Sequence, residues 1–265
     1  MYAVPGVPFE LYEMFERAIL PDLLMRSGEA SVIKSRVLRT WGESESGLNE
    51  RLVEVIDELE KVGNPTLAFL ASGWEGIKVR LTAKAHTAQE AVQLIDVWDA
   101  KVRAKVGDLV FGVDQQTMES VLFDALREKK LTLGVAESVT GGLVAGRLTA
   151  VVGASDVFRG GIVSYASDVK FDVLGVTPGP VVSEAAAKEM AVGVRKALGS
   201  DIGLALTGVA GPAEQDGVKV GTVCVGIAFS DGTTKSTTFH LPIGREQMRQ
   251  LSVITALNFL RNQLQ

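Results

Sequence analysis

Two hydrophobic periods alternate along the chain. Leu48, Leu52, Val55, Ile56 and Leu59 recur at helical spacing in ESGLNERLVEVIDELEKV, which predicts one apolar helix stripe. TAQEAVQLIDVWDAKVRAKV repeats that period, with Thr87 placed to act as an N-cap. Around these helices stand short apolar or alternating runs that read as strands: SVIKSRVLRTW, TLAFLA, GIKVRLTAKA with Ile77, Val79 and Leu81 in register, and GDLVFGVD. Over residues 31–113 the order is β-α-β-β-α-β, the split βαβ arrangement, predicting a small α+β domain with a four-stranded sheet and two helices on one face. Ahead of it, VPGVPFELYEMFE opens with a proline and glycine turn and continues as a helix carrying Leu11, Met14, Phe15 and Ile19.

From Asp114 the pattern changes to an α/β layer domain running to residue 265. QTMESVLFDALREKK is a helix with Met118, Val121, Leu122, Ala125 and Leu126 on its buried face, followed by the apolar strand LTLGVA. The turn ESVTGG leads into the helix GLVAGRLTAV, then the strand GGIVSYA and the short helix DVKFDVLGV. SEAAAKEMAVGVRKALG predicts a long helix capped by Ser183 and closed at Gly199. IGLALTG is continuously apolar, as a strand buried on both faces would be. VGTVCVGIAFS and TTKSTTFHL predict an antiparallel pair joined through Asp231-Gly232, and REQMRQLSVITALNFLRNQL a terminal helix.

Composition narrows the function classes. The 265 residues carry a formal net charge of −5, which argues against nucleic-acid binding by a broad basic face. No apolar run reaches the roughly 18 residues of a membrane span, and no basic-then-apolar leader is present at the N-terminus. A single cysteine, Cys224, excludes an internal disulfide framework and fits a reducing cytoplasm. With only His86 and His240 available, a His/Cys metal site is not expected, and catalysis has to proceed without a histidine cluster.

The chemistry-bearing residues collect at three predicted strand ends. Ser138 stands between a strand and a helix, near unpaired backbone N–H groups and the positive end of a helix dipole. Gly141 and Gly142 allow a ligand close to the backbone. Such a turn holds a phosphate or stabilises an oxyanion beside a serine nucleophile; Ser138 or Thr140 can equally serve as a plain helix cap. A lysine can replace histidine as base when desolvation leaves its amine neutral. In GGIVSYASDVK, Tyr165 and Lys170 flank the end of the next strand, where the alternatives are a rim aromatic and a solvated lysine. Thr207, Gly208 and Gly211 mark a third end, in LTGVAGPAEQDGVKVGTV. Ligands of open α/β sheets gather at such ends.

AESVTGG, GGIVSYASDVK, VVSEAAAKEMA and TGVAGPAEQDGVKVGTV together resemble the C-terminal domain of the CinA (competence/damage-inducible) family, the nicotinamide-nucleotide amidohydrolases. The resemblance implies a three-layer α/β/α domain over 114–265, a KH-like connecting domain over 31–113, and residues 1–30 as the remnant of a molybdopterin-binding-like N-terminal domain that is otherwise missing. It also implies hydrolysis of the carboxamide of nicotinamide mononucleotide to nicotinate mononucleotide and ammonia, without cofactor or metal. Ser138 would attack the amide carbon, Lys170 would take its proton, and Tyr165 would assist in placing or relaying it.

Substrate contacts would fall to Val139, Thr140, Gly141 and Gly142, whose backbone N–H groups suit an oxyanion, and to Thr207, Gly208 and Gly211. Arg245 is the candidate for the phosphate, against the alternative of a surface arginine. Glu137 either orients Lys170 or is structural. A cytoplasmic homodimer without nucleic-acid or membrane partners is expected. RNA binding is discounted because the KH-like region lacks a GXXG clamp between its helices. Two departures from the family pattern stand out: the loop GPAEQDGVKVG lacks a proline after its lysine, and Val139 replaces a frequent cysteine. The competing readings are a nucleotide- or phosphate-binding module without catalysis, and a dimerising platform.

Overall fold

The structure, a computed structural model, describes residues 2–27, 31–71 and 73–265. Residues 28–30, the end of the first expected segment, lie outside the described residues. The chain forms two compact units interleaved in sequence. The first takes residues 1–37, 44–70 and 78–108, and the second 38–43, 71–77 and 109–265.

The chain begins with α1 (Pro8–Met14), a π-helical turn (Phe15–Ile19) and α2 (Leu20–Ser27). Of the apolar residues expected to line this helix, Ile19 alone is buried. Next come β1 (Val32–Thr40), α3 (Glu45–Val62), β2 (Thr66–Ala71), β3 (Ile77–Ala85), α4 (Ala88–Val106) and β4 (Val110–Val113), the predicted β-α-β-β-α-β order. The strands pair in the order β2-β3-β1-β4. Both helices start where the sequence provides a cap. Ser44 accepts from the Gly47 N–H at 3.1 Å, and Thr87 forms a reciprocal capping box with Glu90. Leu48, Leu52, Val55 and Leu59 form the buried stripe of α3, which packs against α4.

The second unit continues with α5 (Met118–Lys129), β5 (Leu133–Glu137), α6 (Leu143–Thr149), a 3-10 turn (Ala154–Asp156) and β6 (Phe158–Val163). Then follow α7 (Ser167–Leu174), α8 (Glu184–Leu198), β7 (Ile202–Gly208), β8 (Thr222–Phe229), β9 (Thr234–His240) and α9 (Arg245–Gln263). The sheet order is β6-β5-β7-β8-β9. β6, β5 and β7 are parallel, whereas β8 and β9 are antiparallel additions.

Strand alternation sends Leu133, Val135, Leu204 and Leu206 into one core with α5, α6 and α9. It sends Ala136 and Ala205 into a second core with α7 and α8. The result is the expected three-layer α/β/α arrangement. The small residues on the second face let α8 sit close to the sheet. A Cβ at Gly226 would stand 2.2 Å from the Ala187 carbonyl oxygen, and one at Gly203 2.0 Å from that of Ala191.

One boundary differs in a way that matters for the site. The sequence predicts a strand through residue 166, but β6 ends at Val163. Ser164 donates its N–H to the Glu137 carbonyl at 2.8 Å, the last rung of the ladder. The chain then turns, with Ala166 as the N-cap residue of α7. The carbonyls of residues 164–166 thereby point at the Lys170 amine, which takes the place of strand partners.

Candidate active site at the strand ends

Parallel pairing aligns Glu137 with Val163 on one side and with Leu206 on the other. Ser138 donates its N–H to the Leu206 carbonyl at 3.0 Å, so the ladder extends one residue beyond β5. Ser164, Ser138 and Thr207 therefore stand in a row across three adjacent strand ends. Their side chains continue the alternation of Ile162, Ala136 and Ala205, on the face covered by α7 and α8.

Ser138 opens onto a cleft of about 220 Å³ whose lining includes Val139, Tyr165, Gly208, Gly211 and Arg245. Val209, Ala210, Ala213 and Gln215, from the loop between β7 and β8, complete the wall and were not singled out by sequence. Arg245 bridges the mouth. It donates to the Gly211 carbonyl at 2.8 Å and to the Tyr165 hydroxyl at 2.8 Å. Tyr165 is 60% exposed, a rim residue with its hydroxyl anchored.

Lys170 is not the solvated lysine that its type suggests: it is 1% exposed. Its amine donates to the carbonyls of Ser164 at 2.7 Å, Tyr165 at 3.2 Å and Ala166 at 3.5 Å. Burial pulls its pKa below the ordinary 10.5, and the negative charge of Asp168 opposes that pull. No hydrogen bond joins Lys170 to Ser138 among the described residues.

Several expected contact residues turn away from the cleft. Glu137 is fully buried. Its carboxylate accepts from the N–H groups of Gly142 at 2.9 Å, Val144 at 3.0 Å and Ala145 at 2.8 Å. It follows the alternation of Val135 toward α6 and caps that helix, so of its two expected roles it takes the structural one. Neither Ser138 nor Thr140 is the cap. The N-cap residue is Gly142, at φ +99°, without a side-chain contribution. Thr140 is completely buried and its hydroxyl is unpartnered. Thr207 is also buried and donates to the Val181 carbonyl at 2.8 Å. Gly141, at φ +59°, donates its N–H to the Ser138 carbonyl at 3.1 Å.

Of the turn's backbone donors, then, Gly141 and Gly142 are committed internally. The N–H groups of Val139 and Thr140 carry no hydrogen bond among the described residues. Arg249, missed in the sequence, holds the turn from behind. It donates to the Val139 carbonyl at 3.1 Å and the Thr140 carbonyl at 2.7 Å. The available signal was its spacing, one helical turn after Arg245 at the start of α9.

The comparisons agree with this architecture. Residues 115–264 match the CinA C-terminal domain, and residues 35–112 the KH domain of the damage-inducible protein CinA. A CinA-like protein of Frankia casuarinae is 46% identical over 100% of the chain and 62% of the relative. A CinA-like protein of Rippkaea orientalis is 40% identical over 98% of the chain and 63% of the relative. The chain thus spans under two thirds of the length of these curated relatives.

Among solved structures, the competence damage-inducible protein A of Klebsiella pneumoniae is 31% identical. It has a TM-score of 0.54 and covers 56% of this chain and 94% of its own. CihA of Agrobacterium tumefaciens is 32% identical, with a TM-score of 0.53 and the same coverage. No helix among the described residues is long and apolar enough to cross a membrane. With the C-terminal domain matched over more than half of the chain, the KH domain matched ahead of it and the fold shared with solved relatives, the chain belongs to the CinA family.

Proposed function

We propose that this chain hydrolyses the carboxamide of nicotinamide mononucleotide, with Ser138 as nucleophile and Lys170 as its base. The observation that carries the reading is Lys170. Its amine is shut inside the protein on the carbonyl of Ser164, the residue directly across the strand end from Ser138. Burial raises the share of neutral amine near neutral pH, and a neutral amine is what a serine hydroxyl needs to lose its proton.

The surrounding groups fit the rest of an acyl transfer. Ser138 attacks the amide carbon, and the carbonyl oxygen gains a negative charge. The uncommitted N–H of Val139, which lines the cleft, is the donor for that charge, and one such donor lowers a barrier by roughly 3–4 kcal/mol. Arg249 keeps this turn rigid from the opposite side, so the donor needs little reorganisation. Arg245 presents positive charge at the mouth, where the ligand's phosphate would exchange for the Gly211 carbonyl. Tyr165, fixed by Arg245, closes the same rim and assists in placing the substrate.

Ammonia release from nicotinamide mononucleotide, measured on wild type beside Ser138→Ala and Lys170→Met, tests the assignment. Wild type should release ammonia and both variants should lose the activity while remaining folded. Full activity in Ser138→Ala would end the nucleophile assignment. Binding of the nucleotide by wild type without ammonia release would make the cleft a binding module instead.

A further inference from the structure

Ser164 is fully buried, and its hydroxyl has no hydrogen-bond partner. Buried hydroxyls are nearly always paired, so an orphan at a strand end beside a reactive turn calls for a reason other than packing. Both backbone groups of the residue are committed. Its N–H donates to the Glu137 carbonyl at 2.8 Å and its carbonyl accepts from Lys170 at 2.7 Å. The residue thus sits on a rigid backbone, with Lys170 on its carbonyl and Ser138 as its neighbour across the ladder. Neighbouring strands lie about 4.8 Å apart, a gap that two hydroxyl rotamers can close to a hydrogen bond.

Lys170 reinforces the point. A protonated amine offers three donors, and the carbonyls of residues 164–166 are three acceptors. A neutral amine has two donors and a lone pair. A lone pair cannot face a carbonyl and has to be met by a donor. The Ser164 hydroxyl is a donor of this kind, buried and unspent.

We propose that Ser164 is a positioning residue that carries the proton between Ser138 and Lys170, making a Ser138–Ser164–Lys170 relay rather than a two-residue pair. The inference rests on the amidase reading for its substrate, but not for the relay itself. As the Ser138 oxygen bonds to the amide carbon, the carbonyl π pair moves onto the carbonyl oxygen. The Ser138 proton passes to the Ser164 oxygen, and the Ser164 proton passes to the Lys170 lone pair. On collapse the carbon–nitrogen bond breaks. Lys170 returns its proton through Ser164 to the departing nitrogen, which leaves as ammonia. Water then attacks the ester by the same route, giving the carboxylate and restoring Ser138.

The test reads the relay with and without substrate. An alkyl fluorophosphonate should label Ser138 of the full chain, followed by mass spectrometry, at a rate that rises with pH and reaches a plateau. Ser164→Ala should label roughly 100-fold more slowly, the lower range for general acid–base assistance. Its rate should climb with hydroxide without a plateau, because Lys170 is disconnected. Its melting temperature should be unchanged or higher, since the lost hydroxyl had no partner. Ser164→Thr and Ser164→Val, alike in shape, should separate, with only threonine retaining the wild-type rate and plateau.

Equal labelling of wild type and Ser164→Ala with the plateau kept, matched threonine and valine variants, or no labelling of wild-type Ser138 would each overturn the relay. Labelling as expected without ammonia release from nicotinamide mononucleotide would instead remove the proposed substrate and leave the relay standing.

Discussion

Replacing Glu137 by alanine removes the acceptor for three backbone N–H groups at the start of α6. The carboxylate is closed to water, since Glu137 and Val144 are both 0% exposed, while Gly142 and Ala145 are half-buried. Each hydrogen bond to a charged acceptor contributes about 1.5–3 kcal/mol, and a buried donor left unpaired costs about 1–3 kcal/mol. Three bonds at the low end come to about 4.5 kcal/mol; relief of the buried charge offsets part, leaving an expected loss of about 3 kcal/mol. Glu137→Gln keeps the shape and one oxygen but turns an NH₂ toward a donor, so about 2 kcal/mol is expected.

Amide hydrogen exchange across residues 138–150 is the suitable assay, because it reads opening of this segment rather than of the whole chain. At about 1.4 kcal/mol per tenfold change, the alanine variant should exchange roughly 100-fold faster there. The glutamine variant should lie between it and wild type. Exchange in Glu137→Ala within about threefold of wild type would refute the argument. It would show that the carboxylate is not what holds the turn bearing Ser138.

Three further outcomes follow from the same geometry. Gly226→Ala should destabilise the chain by about 1–3 kcal/mol, because its Cβ would meet the Ala187 backbone and push α8 off the sheet; an unchanged thermal transition would contradict this. Asp201 accepts from the Thr132 hydroxyl at 2.6 Å and the Thr132 N–H at 2.9 Å, which hold its pKa below the ordinary 3.8. Its contribution is therefore present above that value and lost as pH falls through the folded pKa, and Asp201→Asn should flatten the acid limb of a stability–pH curve. Lys170, with its pKa lowered by burial, binds fewer protons folded than unfolded between its folded pKa and 10.5. Wild type should therefore gain stability relative to Lys170→Met as pH rises through that window, measured by urea unfolding; a flat difference would contradict the burial argument.

Local patterns made much of the fold legible. Helical stripes, the Thr87 and Ser183 caps and the Gly199 stop are short-range features, so the sequence placed the corresponding helices closely. β7 matched its predicted limits, because a strand buried on both faces is a continuous apolar run, here entered from Asp201 and left at Thr207-Gly208. The end of β6 was not legible. Ser164 and Tyr165 suit a strand, and what stops it is the turn into α7 around a lysine amine.

Residue types and spacing brought Ser138, Tyr165, Gly208 and Gly211 forward, the substrate implied by the family resemblance added Arg245, and the structure sets all five around one cleft. Side-chain direction was decided only by the tertiary fold. Strand alternation and helix placement turned Glu137 into the α6 cap, tied Thr207 to Val181, buried Lys170 on three carbonyls and left Ser164 unpaired beside Ser138. The physical reason is that hydrophobic period and capping act over a few residues. The partner of a buried polar group, by contrast, comes from wherever parallel pairing brings distant strand ends together.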